Sequence, residues 1–235
     1  MPSLVGSEMC IRDSYNIKIY FIPLLFTIIW YVFVFNALNW TDWIQWNTSG
    51  ISIISFFILF LLWTILFYRD NYVEWVENAK FIMTISIILV WIIIPFWYYD
   101  FNQKILMWDS WTMFLWFMLA TLAIISWWKI ATVLVVFWIY SVDAVYVLIR
   151  RLLNRKNPLS WDFTHLHHRL LDLWLERKNV LYLIYALSLF FGLTGLFLDK
   201  TWKIIVFCFI IIIVVFINKI VEAWIKWKEK ILLKK

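Results

Sequence analysis

Charge is scarce in this 235-residue chain: 15% of its residues are Asp, Glu, Lys or Arg, while 65% are hydrophobic. A soluble domain carries about a quarter charged and about half apolar residues, so the soluble class is excluded. Cysteine is nearly absent. Cys10 lies in the extreme N-terminus and Cys208 inside an apolar run, which excludes a disulfide framework and a cysteine-based metal knuckle. Glycine is short as well, with four residues, although average usage is about 7% and membrane helices use glycine more than soluble ones do. Aspartate is missing from the first part of the chain, where Asp13 is the only one before Asn36.

What the chain does have is uninterrupted apolar sequence. Seven runs, at about 19–38, 51–68, 81–99, 111–126, 130–149, 180–198 and 203–221, approach the roughly 20 residues that a helix needs to cross a hydrocarbon core of about 30 Å. Backbone groups in lipid must be satisfied within the segment, and stretches such as Ile204–Ile217 lack the alternation of a barrel strand. The expected fold class is therefore all-α, a polytopic transmembrane helical bundle with about seven spans present of a larger bundle.

Laying the runs end to end sorts the cations. The segments 39–50, 100–110, 150–179 and 222–235 hold 13 Lys and Arg, against 4 in 69–80, 127–129 and 199–202, so the first set is assigned to the cytoplasm. The net charge of +6 is then mostly this asymmetry, with some attraction to anionic membrane lipids and phosphorylated substrates. It does not point to nucleic acid. Glu74 and Glu77 read as a solvated outer loop, and Trp224–Lys235 as an amphipathic inner tail at the headgroups.

Two features are out of keeping with such a protein. Met1–Ser14, MPSLVGSEMCIRDS, lacks a signal-peptide layout, and its composition breaks sharply from that of the membrane sequence after it. It reads as a translated adaptor joined to a shortened frame, which divides the chain into a non-native segment 1–14, a transmembrane domain 15–221 and a basic cytoplasmic tail 222–235. The second feature is the 19 tryptophans beside four glycines. Membrane Trp belongs at interfaces, yet Trp63, Trp116 and Trp138 fall within runs, and Trp43, Trp46, Trp108 and Trp111 fall where glycine would punctuate a turn. UGA codons that encode glycine in the source, translated as tryptophan, would account for this; the alternative is a membrane protein that is truly rich in Trp. The difference is physical, because a glycine lets backbone N–H groups close on a phosphate and an indole fills that space.

Three polar segments stand out on the cytoplasmic side. Asn36-Ala-Leu-Asn39-Trp-Thr-Asp42-Trp-Ile-Gln45-Trp46 places two amides and a carboxylate at a span exit. Such groups face water or line a polar cavity, or form an ordinary cap and turn cluster with Thr41 or Asp42 at the next helix start. Trp108-Asp109-Ser110-Trp111-Thr112 opens the fourth span. A carboxylate there suits Mg²⁺, which takes one or two protein oxygens and leaves its other positions to water and phosphate, and a plain helix cap is again the alternative. Trp161-Asp162-Phe-Thr-His165-Leu-His167-His168-Arg169 holds every histidine of the chain. Its spacing is not that of a zinc helix. It suits charge-assisted hydrogen bonds to phosphate or sugar, or a merely solvated basic loop.

In this order, the three segments resemble the cytoplasmic signatures of the family that transfers phospho-N-acetylhexosamine from a UDP-sugar to a polyprenyl phosphate. The likeness covers residues 19–221. It is best from Phe114–Ser126 through Asp143 and Arg150-Arg151 to His165-Leu-His-His-Arg-Leu-Leu171. The His-x-His-His pattern is similar to the undecaprenyl-phosphate N-acetylglucosamine-1-phosphate branch; the branch that transfers phospho-N-acetylmuramoyl-pentapeptide has three consecutive histidines and ranks second. The family pattern carries glycine at Trp43, Trp46, Trp108, Trp111, Trp116 and Trp138, in line with the codon argument. It carries Asp at Gln45, a departure that codon misreading does not explain.

The resemblance implies a Mg²⁺-dependent transferase, with Mn²⁺ an alternative ion, on the cytoplasmic face of a bacterial inner membrane. A lipid phosphate would attack the β-phosphorus of UDP-N-acetylhexosamine and release UMP, starting a lipid-linked cell-envelope glycan such as lipopolysaccharide or another cell-wall polymer. By motif position, Asp109 would be the metal ligand and, with Asp42, catalytic. Asn36 and Asn39 would line the pocket, and His165, His167 and His168 would contact the donor substrate. Arg150 and Arg151 would contact phosphate. The family's aspartate-rich motif belongs upstream of Asn36, so the chain as written is expected to be inactive. A cation transporter using Asp42, Asp109 and the histidines as a relay, or a non-catalytic scaffold, are the alternatives. Oligomeric state is open, with a homodimer among the arrangements.

Overall fold

The computed structural model describes residues 21–36, 47–69, 73–102, 104–105, 107–126, 138–153, 155, 171, 176–198 and 200–232. Each of the seven apolar runs contains a helix: α1 (Phe21–Asn36), α2 (Asn47–Arg69), α3 (Val73–Phe101), α4 (Asp109–Ile125), α5 (Trp138–Leu153), α6 (Arg177–Phe197) and α7 (Lys200–Leu232). No strand occurs among the described residues. Residues of α2, α3 and α6 form three stretches that are by themselves long and apolar enough to cross a membrane, whereas α1 and α4 are shorter apolar helices.

The chain is an all-α membrane protein, and its surface shows why. Phe21, Ile22, Trp91, Phe190, Ile212 and Phe216 all stand exposed, on a scale that water would not tolerate but lipid requires. Inside, α2 packs along α3 and also meets α6 and α4, while α5 packs on α7 and α6. The buried positions of α4 are Thr112, Leu115, Trp116, Leu119, Ala120, Leu122 and Ala123; all but Leu122 recur at three- and four-residue steps and form one stripe. That stripe meets Phe56, Leu59 and Trp63 of α2 in a single core with Trp30 and Val34 of α1.

Hydrophobic burial cannot hold helices together where the solvent is itself apolar, so interhelical polar contacts become important. The Trp30 indole donates to the Ala120 carbonyl at 3.2 Å, and the Tyr31 and Thr121 hydroxyls pair at 2.7 Å, joining α1 to α4. The Trp63 indole donates to Ser126 Oγ at 2.8 Å, joining α2 to the end of α4. Trp63→Phe is expected to lower the thermal stability of the detergent-solubilised protein by about 1 kcal/mol. Ser126→Ala should cost a similar amount, and the double variant little more.

Two boundaries differ from the sequence reading. Glu74 and Glu77 belong to the first turns of α3, not to an outer loop; acidic residues near a helix N-terminus complement its dipole and favour that extension. The tail after residue 221 continues α7 without a break to Leu232. Neither Gly nor Pro occurs between Lys200 and Leu232, and Lys, Glu, Ala and Ile there favour helix. At 33 residues and about 1.5 Å each, α7 is roughly 50 Å long and outreaches the hydrocarbon core.

Candidate functional site

Trp30 and Tyr31 of α1 meet Ala120, Phe117 and Thr121 of α4, and because successive spans alternate in direction across a membrane the two helices run antiparallel. Asn36 lies five residues beyond Tyr31 and Asp109 eight before Phe117, so both lie toward the same end, about 8 and 12 Å of helix away. The start of α2 and the end of α3 meet through Ser49, whose hydroxyl donates to Asp100 Oδ2 at 2.7 Å. Asn47, Thr48 and Ser49, in the segment 39–50 that the sequence assigned to the cytoplasmic side, are all buried. Their burial follows from the partner across the interface. Asp100 is itself 2% exposed, and a carboxylate withdrawn from solvent needs donors such as this hydroxyl.

Tyr185 of α6 closes the same junction. Its ring sits against Gly50, so close that a side chain there would overlap it, and its hydroxyl lies near Asp100 and Trp97. Just outside, Phe101 packs on Trp97 at 5.3 Å and on Tyr182 at 6.2 Å, and the Lys178 ammonium lies over the Phe101 ring at 5.9 Å. Leu171, three residues after His168, joins Phe101 and Tyr185 against buried Leu181. The described residues that meet at this junction are thus the start of α2, the end of α3, the start of α6 and Leu171.

Asp109 is exposed and is the first residue of α4. The cap position before it is Trp108, which makes no side-chain cap hydrogen bond. Asp109 is thus not the N-cap residue that the alternative reading required, and its carboxylate is open to solvent. A single open carboxylate fits Mg²⁺, which binds proteins through one or two such groups and fills its sphere with water and phosphate. Among the described residues no three His, Cys, Asp or Glu side chains cluster as a metal cage would require.

The other expected residues fare differently. Asn36 turns its amide back on its own helix, donating to the Val32 carbonyl at 2.7 Å, which leaves its side-chain oxygen for other partners. Arg150 and Arg151 close the last turn of α5, where cations complement the helix dipole; Arg151 is 4% exposed and Arg150 half-buried. Asn39, Asp42, His165, His167 and His168 lie outside the described residues, as do Trp43, Gln45, Trp46 and the segment 1–14. Asp100, Tyr185 and Gly50 were not singled out from sequence. The available signal was a carboxylate in an aromatic run, Trp97-Tyr-Tyr-Asp-Phe101, at a span end, a placement that calls for a partner. Asp143, quoted for its motif but given no role, is buried in α5.

The tryptophans divide. The indoles of Trp30 and Trp63 have acceptors, whereas Trp116 is 1% exposed and its indole nitrogen has no partner among the described residues. A buried indole N–H usually finds one. Trp108 and Trp111 stand exposed on either side of Asp109.

A model of glycosyl transferase family 4 matches residues 4–127, just over half of the chain. A Bacillus subtilis (strain 168) protein described as a probable undecaprenyl-phosphate N-acetylglucosaminyl 1-phosphate transferase is 24% identical over 149 residues, covering 60% of this chain. The chain matches 42% of that relative's length. No solved structure matches it. With a family model that spans more than half its residues and a polytopic helical fold, the chain belongs to glycosyl transferase family 4.

Proposed function

We propose that the protein transfers N-acetylhexosamine 1-phosphate, as GlcNAc 1-phosphate, from a UDP-sugar to undecaprenyl phosphate at the cytoplasmic face of a bacterial inner membrane. The observation that carries this reading is the match of a glycosyl transferase family 4 model to residues 4–127, with the exposed Asp109 carboxylate opening α4. The name of the relative supports the same chemistry.

In this reading the acceptor phosphate oxygen attacks the β-phosphorus of the donor and UMP departs. Asp109 would hold Mg²⁺, with Asp42 lining the catalytic pocket, and the ion when bound would neutralise the diphosphate and the charge that develops on the leaving phosphate. The first backbone N–H groups of α4 have no acceptor within the helix and suit a phosphate oxygen beside Asp109. Asn36 and Asn39 line the nucleotide pocket. His165, His167 and His168 grip the donor, while Arg150 and Lys178 add positive charge at the rim. The sugar nucleotide is decided by a substrate panel: UDP-GlcNAc should give lipid-linked product and UDP-N-acetylmuramoyl-pentapeptide none. The reverse would place the protein in the peptidoglycan branch.

Asp143 favours a second reading. It is buried ten residues before the end of α5, about 15 Å from that end and near mid-depth of the membrane, where ion pathways place their carboxylates. Cation flux in proteoliposomes that Asp143→Asn abolishes, without any sugar-phosphate transfer, would establish the transporter instead.

The family pattern is the ground for proposing glycine in the native protein at Trp43, Trp46, Trp108, Trp111, Trp116 and Trp138. Peptide mass spectrometry of the protein from its source should find glycine at these six positions. Tryptophan there would contradict the codon reading.

A further inference from the structure

We propose that the groove between α3 and α4 receives the hydrocarbon tail of the acceptor, a single-chain isoprenoid phosphate whose phosphate then lies at Asp109. The identity of this occupant rests on the transferase reading; the groove itself does not. α3 and α4 both pack on α2 and hardly on one another. Between them they leave a cleft of about 330 Å³, at the small end of the roughly 300–1,000 Å³ of ligand pockets. Leu89, Ile92 and Ile93 line it from α3, and Ser110, Trp111, Phe114 and Leu115 from α4. Steps of three and four residues on both sides turn one face of each helix into the cleft. Buried Leu89, Ile93 and Leu115 make the floor, and exposed Ile92, Trp111 and Phe114 the walls.

Position decides what can enter. Ser110 is the one polar side chain among these lining residues, and it adjoins Asp109, whose exposed carboxylate opens α4. From there the cleft descends past Leu115, about 9 Å along α4, to Ile93 and Leu89, about 12 and 18 Å from the end of α3. It therefore starts at headgroup level and ends near mid-depth of a hydrocarbon core of roughly 30 Å. The walls face lipid, so an occupant enters sideways from the bilayer without crossing water. It needs an apolar chain and, directly at the end of that chain, a group that an exposed carboxylate can hold through a divalent cation. A phosphate ester of one long isoprenoid chain meets both demands. A phospholipid does not, because glycerol sets its phosphate apart from its chains. Glycine at Trp111, the reading proposed above for the native protein, widens the mouth beside Ser110 and leaves the floor as it is.

The test uses the protein expressed from its complete reading frame, in phosphatidylglycerol nanodiscs with undecaprenyl phosphate added. Photoreactive benzoylphenylalanine in place of Ile92 should form an adduct with undecaprenyl phosphate although the phospholipid is in large excess. The same probe in place of Ile94, which is exposed but outside the cleft, should capture phospholipid. In turnover, Ile92→Trp fills the cleft and should raise KM for undecaprenyl phosphate at least about tenfold, with KM for UDP-GlcNAc changed far less. Ile94→Trp should leave both constants near native. Phe114→Ala strips the opposite wall and should raise KM for the lipid about three- to tenfold; it carries the kinetic test if Ile92→Trp does not fold. An adduct at position 92 with phospholipid alone, or with a second copy or another part of the protein alone, would overturn the proposal. So would an unchanged KM for the lipid in folded Ile92→Trp. If the unaltered protein transfers no sugar phosphate, the transferase reading fails, while the adduct still decides whether the cleft holds an isoprenoid phosphate.

Discussion

Asp109→Asn is expected to lower Mg²⁺-dependent UMP release by roughly 100- to 1,000-fold, the scale of losing one group aimed at developing charge in a transition state. The substitution keeps the shape of the side chain and removes the charge. Asp109 stands exposed at the first position of α4, with Trp108 in the cap position, so little of the helix depends on it. The stability change should be limited to the lost dipole interaction, about 0.3–1 kcal/mol. Kinetics with Mg²⁺ titration and a thermal melt on the same preparation separate the two roles. A melt that falls sharply while turnover per folded molecule is kept would make Asp109 structural.

Gly50→Ala carries the largest expected effect on folding. The added Cβ would overlap the Tyr185 ring, beside the buried Asn47, Thr48 and Ser49, so the ring must shift to admit it. Overpacking of this kind costs about 1–3 kcal/mol, and here it also pushes on the Ser49–Asp100 contact. Lower yield of folded protein and an earlier melt should result. Tyr185→Ala should relieve the clash, so the double variant Gly50→Ala/Tyr185→Ala should be more stable than the sum of the single effects predicts. Plain additivity would mean that the ring and the glycine do not meet.

These two sites also mark how far the sequence could be read. All seven helices among the described residues were legible, because lipid leaves the backbone no alternative to helix over runs such as Ile204–Ile217. Asp109 was legible too, as a carboxylate at a helix start. The Ser49–Asp100–Tyr185 junction was not: its members lie on three helices far apart in sequence, and no local pattern tells a serine in a polar helix start which carboxylate it will meet. Glu74 and Glu77 misled for a related reason, since polarity at a span end marks the edge of the membrane and not the end of the helix. Asn36 was placed in the pocket by motif, and its amide N–H also bonds the Val32 carbonyl, a local bond that asparagine makes readily and that leaves its side-chain oxygen for other partners.

The central proposal is that the protein transfers a sugar phosphate to a polyprenyl phosphate, and the most direct measurement is UMP release from UDP-GlcNAc by the protein expressed from its complete reading frame, with undecaprenyl phosphate as acceptor. Release that requires both the lipid and Mg²⁺, and that disappears with Asp109→Asn, is the predicted result. A folded protein that releases no UMP with any UDP-N-acetylhexosamine would contradict the account.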